Sequence, residues 1–260
     1  TGDVSGFASS IYKRGINFVN IPTTLLAQVD SSIGGKTGIN TSFGKNLVGS
    51  FYQPRLVISD IDFLKTLPKR EIVCGYAEIF KHSLIFERKF FSFLDKNAKE
   101  ILNLKSPFIE KSIVKSCEIK NKIVEIDEKE KNLRKILNFG HTFAHAYEST
   151  LNYSKRLNHG EAVFLGIYSA INFSLKFKLL SKSNYLKIKD HFIKYKFPNK
   201  ITNFFLKKDL KKLIYFMKKD KKNTSNLINL ILIKKIGRIE LNLNFNERVL
   251  IKFFKEELSN

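Results

Sequence analysis

The chain has 260 residues, 43% of them hydrophobic, with 24 Phe, no Trp and a formal net charge of +22. That length supports one large domain or two modest ones with ample core, and no apolar run approaches the roughly 18 residues of a membrane span. Lysines run from end to end among Ile, Phe and Asn, so the charge reads as a bias over an ordinary fold rather than as a nucleic-acid groove, while still attracting anionic metabolites.

The first residue is Thr1, already inside patterned sequence, as expected of a piece whose upstream part lies elsewhere. No basic-apolar-small leader opens it, so a cytoplasmic location is expected. Two β-rich runs follow, "INFVNIP" (16–22) and "RLVISDID" (55–62), with helical signals around them. Between them, "VDSSIGGKTGINTSFGKN" (29–46) reads as a loop, with Gly34, Gly35, Gly38 and Gly44 among Lys36 and Lys45. The letters GGKT invite a nucleotide-triphosphate loop, but that loop needs a glycine five residues before Gly35, where Asp30 stands. An acid beside two ammonium groups suits a substrate with both hydroxyls and a phosphate.

Residues 1–62 read as the tail of an α/β unit and 63–260 as a mainly helical domain, with the boundary near Asp62. Pro68 suits the first turn of a helix, and Ile72, Val73, Tyr76, Ile79, Phe80 and Ser83 recur at helical spacing. On that helix Glu78 and Lys81 share a face; the bland reading is a surface ion pair worth a few tenths of a kcal/mol. Further helices are expected at about 88–104, 107–129, 132–151, 159–180, 183–196 and 207–219. Lys120 falls in an apolar stripe with Ile113, Cys117 and Val124, so it snorkels or points into a cleft. Cys74 and Cys117 also lie in apolar stripes and are expected as reduced thiols.

Glu130, Arg134, Asn138, His141, His145 and Glu148 recur at steps of 3 and 4, forming one polar face if a single helix starts early enough. A polar stripe is ordinarily solvent-facing. This one lacks lysine and holds two histidines, an arginine and an asparagine, which points to a site lining. HxxxH alone is a weak metal signal, and Thr142 replaces the glutamate of HExxH. His159 opens the next helix, where an antiparallel return brings it toward His141; zinc accepts such nitrogens together with a carboxylate. Lys207 to Lys222 reads as an amphipathic helix with a solvated face. "LINLILI" (227–233) and "IELNLN" (239–244) around Gly237 suggest a hairpin.

"IPTTLLAQVDSSIGGKTGIN", "GKNLVGSFYQP", "LKTLP", "GYAEIFKHSLI", "LNFGHTFAHAYE" and "HGEAV" occur in the order found in the 3-dehydroquinate synthases. The chain resembles that family over nearly its whole length, most strongly over 1–170. The resemblance implies an α/β plus all-α fold: a truncated Rossmann-like NAD-binding domain, then a helical metal- and substrate-binding domain. It implies conversion of 3-deoxy-D-arabino-heptulosonate 7-phosphate to 3-dehydroquinate and phosphate by a lyase that uses NAD and zinc or cobalt. The route is transient oxidation by NAD, phosphate elimination, reduction and intramolecular aldol closure. By the same resemblance Glu78, His141 and His159 bind the metal, while Lys81, Arg134 and Asn138 match residues at the reacting centre. Glu130 and His145 match proton-transfer residues. Asp30, Lys36, Asn46, Lys120 and Lys221 (or its neighbour Lys222) match substrate contacts. Arg14 matches an arginine donated across a homodimer interface. Asp3, Thr23, Thr24, Lys45, Phe63, Leu64, Lys65 and Thr66 match NAD contacts.

The family's upstream nucleotide-binding half does not precede Thr1 in this chain, so NAD affinity is expected to be low and an inactive fragment is one alternative. Another is a different sugar-phosphate cyclase; the intact "DSSIGGK" and "GKNLVG" favour dehydroquinate synthase. The alcohol dehydrogenase group with similar histidines predicts net NADH build-up. A basic nucleic-acid module explains the charge but not the polar stripe.

Overall fold

The computed structural model describes residues 1–41, 44–219 and 227–259, with the backbone alone at residues 44 and 45. Its helices are α1 (Gly2–Ile11), α2 (Lys69–Phe86), α3 (Arg88–Leu102), α4 (Phe108–Ile126), α5 (His141–Thr150), α6 (His159–Lys176), α7 (Lys182–Lys194), α8 (Leu210–Lys218) and α9 (Glu247–Glu257). The strands are β1 (Val19–Asn20), β2 (Lys36–Thr41), β3 (Gly44–Phe51), β4 (Leu56–Val57), β5 (Leu227–Lys235) and β6 (Arg238–Asn246). The chain divides into two compact units, Thr1–Ile79 with Lys99–Arg134, and Phe80–Ala98 with Lys135–Asn260.

In the first unit, β1 and β4 form a parallel pair with Val19 opposite Leu56, the arrangement expected of an α/β tail. The stretch expected as a loop is instead an antiparallel hairpin, β2 with β3. Its glycines disguise it, because Gly is depleted from strands. They are required there: Gly38 faces Gly49, and a Cβ on Gly49 would sit 2.1 Å from the Thr37 carbonyl oxygen. Helix α1 lies against β2, with Gly6 so close that a Cβ would come 2.6 Å from the Thr37 methyl. Directly after Pro68, α2 begins, and at Gly75 its backbone approaches Leu26, where a Cβ would stand 2.5 Å from the Leu26 nitrogen. That contact seats the π-type turn Ala27–Ser31, which carries Asp30.

The second unit is built around α6, whose Ala162, Val163, Phe164, Leu165, Ile167, Ala170, Ile171 and Phe173 are buried. Helix α5 runs antiparallel to it at very close range. A Cβ on Gly166 would come 2.3 Å from the Gly140 carbonyl oxygen and 2.9 Å from the Ala144 nitrogen. Phe143, Phe173, Phe253 and Phe254 form a tilted aromatic cluster that seats α9 on this pair. Helix α9 has no counterpart among the expected elements, although Asn246 caps it and Leu250, Phe253 and Phe254 recur at helical spacing. The β5–β6 hairpin is present and longer than expected, with register shifts near Leu232 and Ile233. Helix α8 turns Leu213, Ile214 and Met217 inward, leaving the solvated lysine face read from the sequence.

The helix expected over 132–151 is two pieces. Leu133–Asn138 is a 3-10 turn, and Gly140 takes φ 80 before α5 starts at His141. The polar stripe from Glu130 to Glu148 is therefore not one helical face.

Candidate functional site

Within the first unit, the predicted anion-binding residues meet beneath the glycine hairpin. The Lys120 ammonium donates to the Asp30 carboxylate and to the Asp30 carbonyl oxygen, each at 2.5 Å. Lys120 is 6% exposed, so it points into the protein and does not snorkel. Burial raises the pKa of Asp3, with the neighbouring Asp30 charge adding to the rise and the chain's N-terminal ammonium and Lys120 opposing it. Asp3 and Lys36 line one cleft with Asn20, Ser32, Gly35 and Thr37. Lys36 forms an ion pair with Glu130.

Arg134 is almost completely buried. Its guanidinium donates to the Glu128 carbonyl oxygen and, at 2.9 Å, to the Gly34 carbonyl oxygen. Gly34 has φ 97, and a Cβ there would lie 2.2 Å from the guanidinium; only glycine admits the arginine so close. The Asp127 carboxylate accepts from the backbone N–H groups of Lys131, Asn132 and Arg134, which fixes the entry to that arginine. Sequence reasoning passed over Asp127, a residue whose short carboxylate favours such turns.

The expected cofactor contacts divide by environment. Thr23 is exposed, and Thr24 accepts the Ala27 N–H through its hydroxyl. Phe63 is exposed, Leu64 is fully buried, Lys65 pairs with Asp62 at 2.6 Å, and the Thr66 hydroxyl donates to the Phe63 carbonyl oxygen. Asn46 (φ 51) takes the Asn40 side-chain oxygen on its N–H. Arg14 is exposed at φ 66. The Lys45 side chain, Lys221 and Lys222 lie outside the described residues. Glu78 is 0% and Lys81 2% exposed, so the bland reading of a surface pair on α2 is overturned: neither side chain reaches the surface.

In the second unit, the antiparallel return expected from the sequence is present. The His141 ring centroid lies 5.7 Å from that of His159 and 5.4 Å from that of His145. His141 is 9% exposed, whereas His145 is on the exposed side of α5. The Nδ1 of His141 donates to the Phe139 carbonyl oxygen at 3.3 Å, and the Nδ1 of His159 donates to the Glu148 carboxylate at 3.4 Å. A capping box orients His159: Asn158 accepts the Glu161 N–H, and Glu161 accepts the Asn158 N–H, both at 2.9 Å. The N-x-x-E pattern that signals this box was available in the sequence. Asn138, at the end of the 3-10 turn, is half-buried. His141 and His159, each with Nδ1 committed to a protein oxygen, are imidazole donors of the kind zinc or cobalt accepts.

Cys117 and Cys74 are not joined in a disulfide. Burial pushes the Cys117 thiol up to about 11, and it donates to the Gln28 carbonyl oxygen at 3.4 Å. Elsewhere in the second unit the buried His191 donates from Nδ1 to the Asp95 carboxylate at 2.9 Å and stacks on Phe80 at 4.6 Å. Among the described residues no helix is long and apolar enough to cross a membrane.

Comparison with known proteins places this geometry. The pattern described as "3-dehydroquinate synthase N-terminal" matches residues 1–74, and "3-dehydroquinate synthase C-terminal" matches 75–223. The chain is 61% identical over 259 residues to the 3-dehydroquinate synthase of Pelagibacter ubique strain HTCC1062, covering 100% of this chain and 70% of that protein. Across curated relatives it spans 65% to 70% of their length. A solved 2-deoxy-scyllo-inosose synthase, complexed with carbaglucose-6-phosphate, NAD+ and Co2+, aligns with TM-score 0.84 at 26% identity, over 98% of this chain and 71% of that one. A 2-epi-5-epi-valiolone synthase from Streptomyces hygroscopicus subsp. jinggangensis 5008, with NAD+ and Zn2+ bound, shares the fold at TM-score 0.87 and 23% identity, over 99% and 70%. Matched over residues 1–223 by both halves of the family pattern and along its whole length by a relative of such identity, the chain belongs to the 3-dehydroquinate synthases, NAD- and metal-dependent lyases of the shikimate pathway.

Proposed function

We propose that the chain binds 3-deoxy-D-arabino-heptulosonate 7-phosphate and carries the residues that turn it into 3-dehydroquinate and phosphate. The observation that carries this reading is the 61% identity along the whole chain, and the close approach of the His141 and His159 rings supports it. Glu78, His141 and His159 are assigned to the metal, and Asp3, Thr23, Thr24, Lys45 and residues 63–66 to NAD. When bound, the metal polarises substrate hydroxyls and NAD accepts and returns a hydride.

The chain's own groups do the rest. Lys36 and Lys120, with Lys221, supply ammonium groups to the sugar phosphate, and Asp30 offers an acceptor to a hydroxyl. Held in register by Asp30, Lys120 is pre-oriented and loses little freedom on binding. Arg134 keeps the Gly34 turn in place from behind, so its contribution is to the shape of the hairpin as well as to charge. Lys81 and Asn138 complete the substrate contacts, and Asn46 adds one from the hairpin. The exposed His145 imidazole exchanges a proton with water, and the Glu130 carboxylate takes the second proton-handling role. Arg14 implies a homodimer, checked by sedimentation of the wild type.

The test is turnover of the sugar phosphate with NAD+ and Zn2+ supplied. One phosphate should be released per 3-dehydroquinate, with no net NADH. Cyclisation of a heptulose phosphate without dehydroquinate would move the chain to another cyclase. Zinc and substrate binding without turnover would mark it as a piece that needs further sequence for catalysis.

A further inference from the structure

We propose that Glu148 is a positioning residue for the metal ligand His159, fixing the tautomer and aim of its imidazole from the neighbouring helix. The inference rests on the assignment of His159 to the metal and adds a residue to that centre.

Three observations carry it. Glu148 is 7% exposed, although it belongs to the polar stripe, and a carboxylate is seldom buried unless it is held by donors. Its Oε2 lies 3.4 Å from Nδ1 of His159. In its ionised form that carboxylate can only accept, which puts the ring proton on Nδ1 and makes Nε2 the nitrogen that would meet a cation. The tautomer follows from the partner, as hydrogens must be assigned from the network. Finally, the backbone under His159 is already set by the Asn158–Glu161 capping box at the start of α6. The box fixes where the Cα sits but leaves the ring free to rotate; Glu148, reaching across from α5, fixes that rotation.

The arrangement parallels that of His141, whose Nδ1 is held by the Phe139 carbonyl oxygen. The two rings thus have different orienting acceptors: a backbone oxygen for His141, and for His159 an ionisable side chain that mutation can remove. Outer-sphere acceptors of this kind raise ligand basicity and typically change metal affinity by about 10–100-fold when lost.

The experiment uses the full chain stripped of metal. Zinc is titrated against a chromophoric chelator for the wild type, Glu148→Leu, Glu148→Gln and His159→Ala. Leu fills the buried space without an acceptor, and Gln keeps an acceptor oxygen without the charge. Glu148→Leu should weaken zinc about 10–100-fold, with Gln falling between it and the wild type. At saturating Co2+ the visible absorption of Glu148→Leu should differ from that of the wild type, a change that mere loss of stability would not produce. Should Leu prevent folding, Gln alone decides: a weakened affinity supports the assignment. Zinc binding within about twofold of wild type in the folded Glu148 variants, with His159→Ala impaired, overturns the role of Glu148 alone. Unchanged zinc binding in His159→Ala removes the ligand assignment, and this inference with it.

Discussion

At the scale of the residue, the turn that carries Asp30 depends on charges that hold one another. Lys120 is buried and makes two bonds to Asp30, so truncating it strands a half-buried carboxylate. Lys120→Met should cost about 1–3 kcal/mol of stability, read as a lower denaturant midpoint, and should also depress kcat/KM. A second buried group gives a pH signature. Burial lowers the His191 pKa below its ordinary value of 6.5, against the pull of Asp95, and the hydrogen bond from His191 holds the Asp95 carboxyl below its own ordinary value of 3.8. Both folded-state values are depressed, so each contributes stability above its unfolded value that is lost as pH falls. Melting temperature should therefore decline as pH drops below about 6.5, with a further loss in the range of the carboxylates. His191→Phe, which preserves the stack on Phe80, should flatten the first part of that decline; an unchanged profile would show that other groups cause it.

At the scale of the element, the helix starts decide where the chemistry points. Asn158 caps an 18-residue helix whose first residue is His159. Asn158→Ala should destabilise by about 1 kcal/mol and weaken zinc binding as well, measured by thermal melts and chelator competition; a stability loss without any change in zinc affinity would separate the cap from the ligand. The sequence is legible where periodicity is long and unbroken: α3, α4, α6 and α7 begin and end within a few residues of expectation, and α2 begins directly after Pro68. It misled where glycine serves geometry. The hairpin was mistaken for a loop because the glycines that let its strands touch are those that ordinarily mark turns. The stripe through Glu130 and His145 was drawn on one helix because the break at Gly140 leaves the spacing of polar residues intact.

At the scale of the whole molecule, the field of +22 acts on a substrate that is itself anionic. Association should be steered by that charge, so kcat/KM should fall several-fold between about 0.02 and 0.3 M salt, while kcat stays nearly constant. A flat dependence would show that the lysines serve solubility alone. The family was readable because several motifs stand in order along the chain. The Glu148 contact was not, because it joins residues on two helices and no spacing rule reports it. The backbone contact between α5 and α6 at Gly140 and Gly166 has a remoter effect. With no side chain between them, those two helices share one spacing, and the same spacing sets the gap between the rings of His141 and His159. A single methyl at position 166 would act as a wedge against the Gly140 carbonyl oxygen, prying apart the His141 and His159 imidazoles from two helical turns along α6 beyond His159.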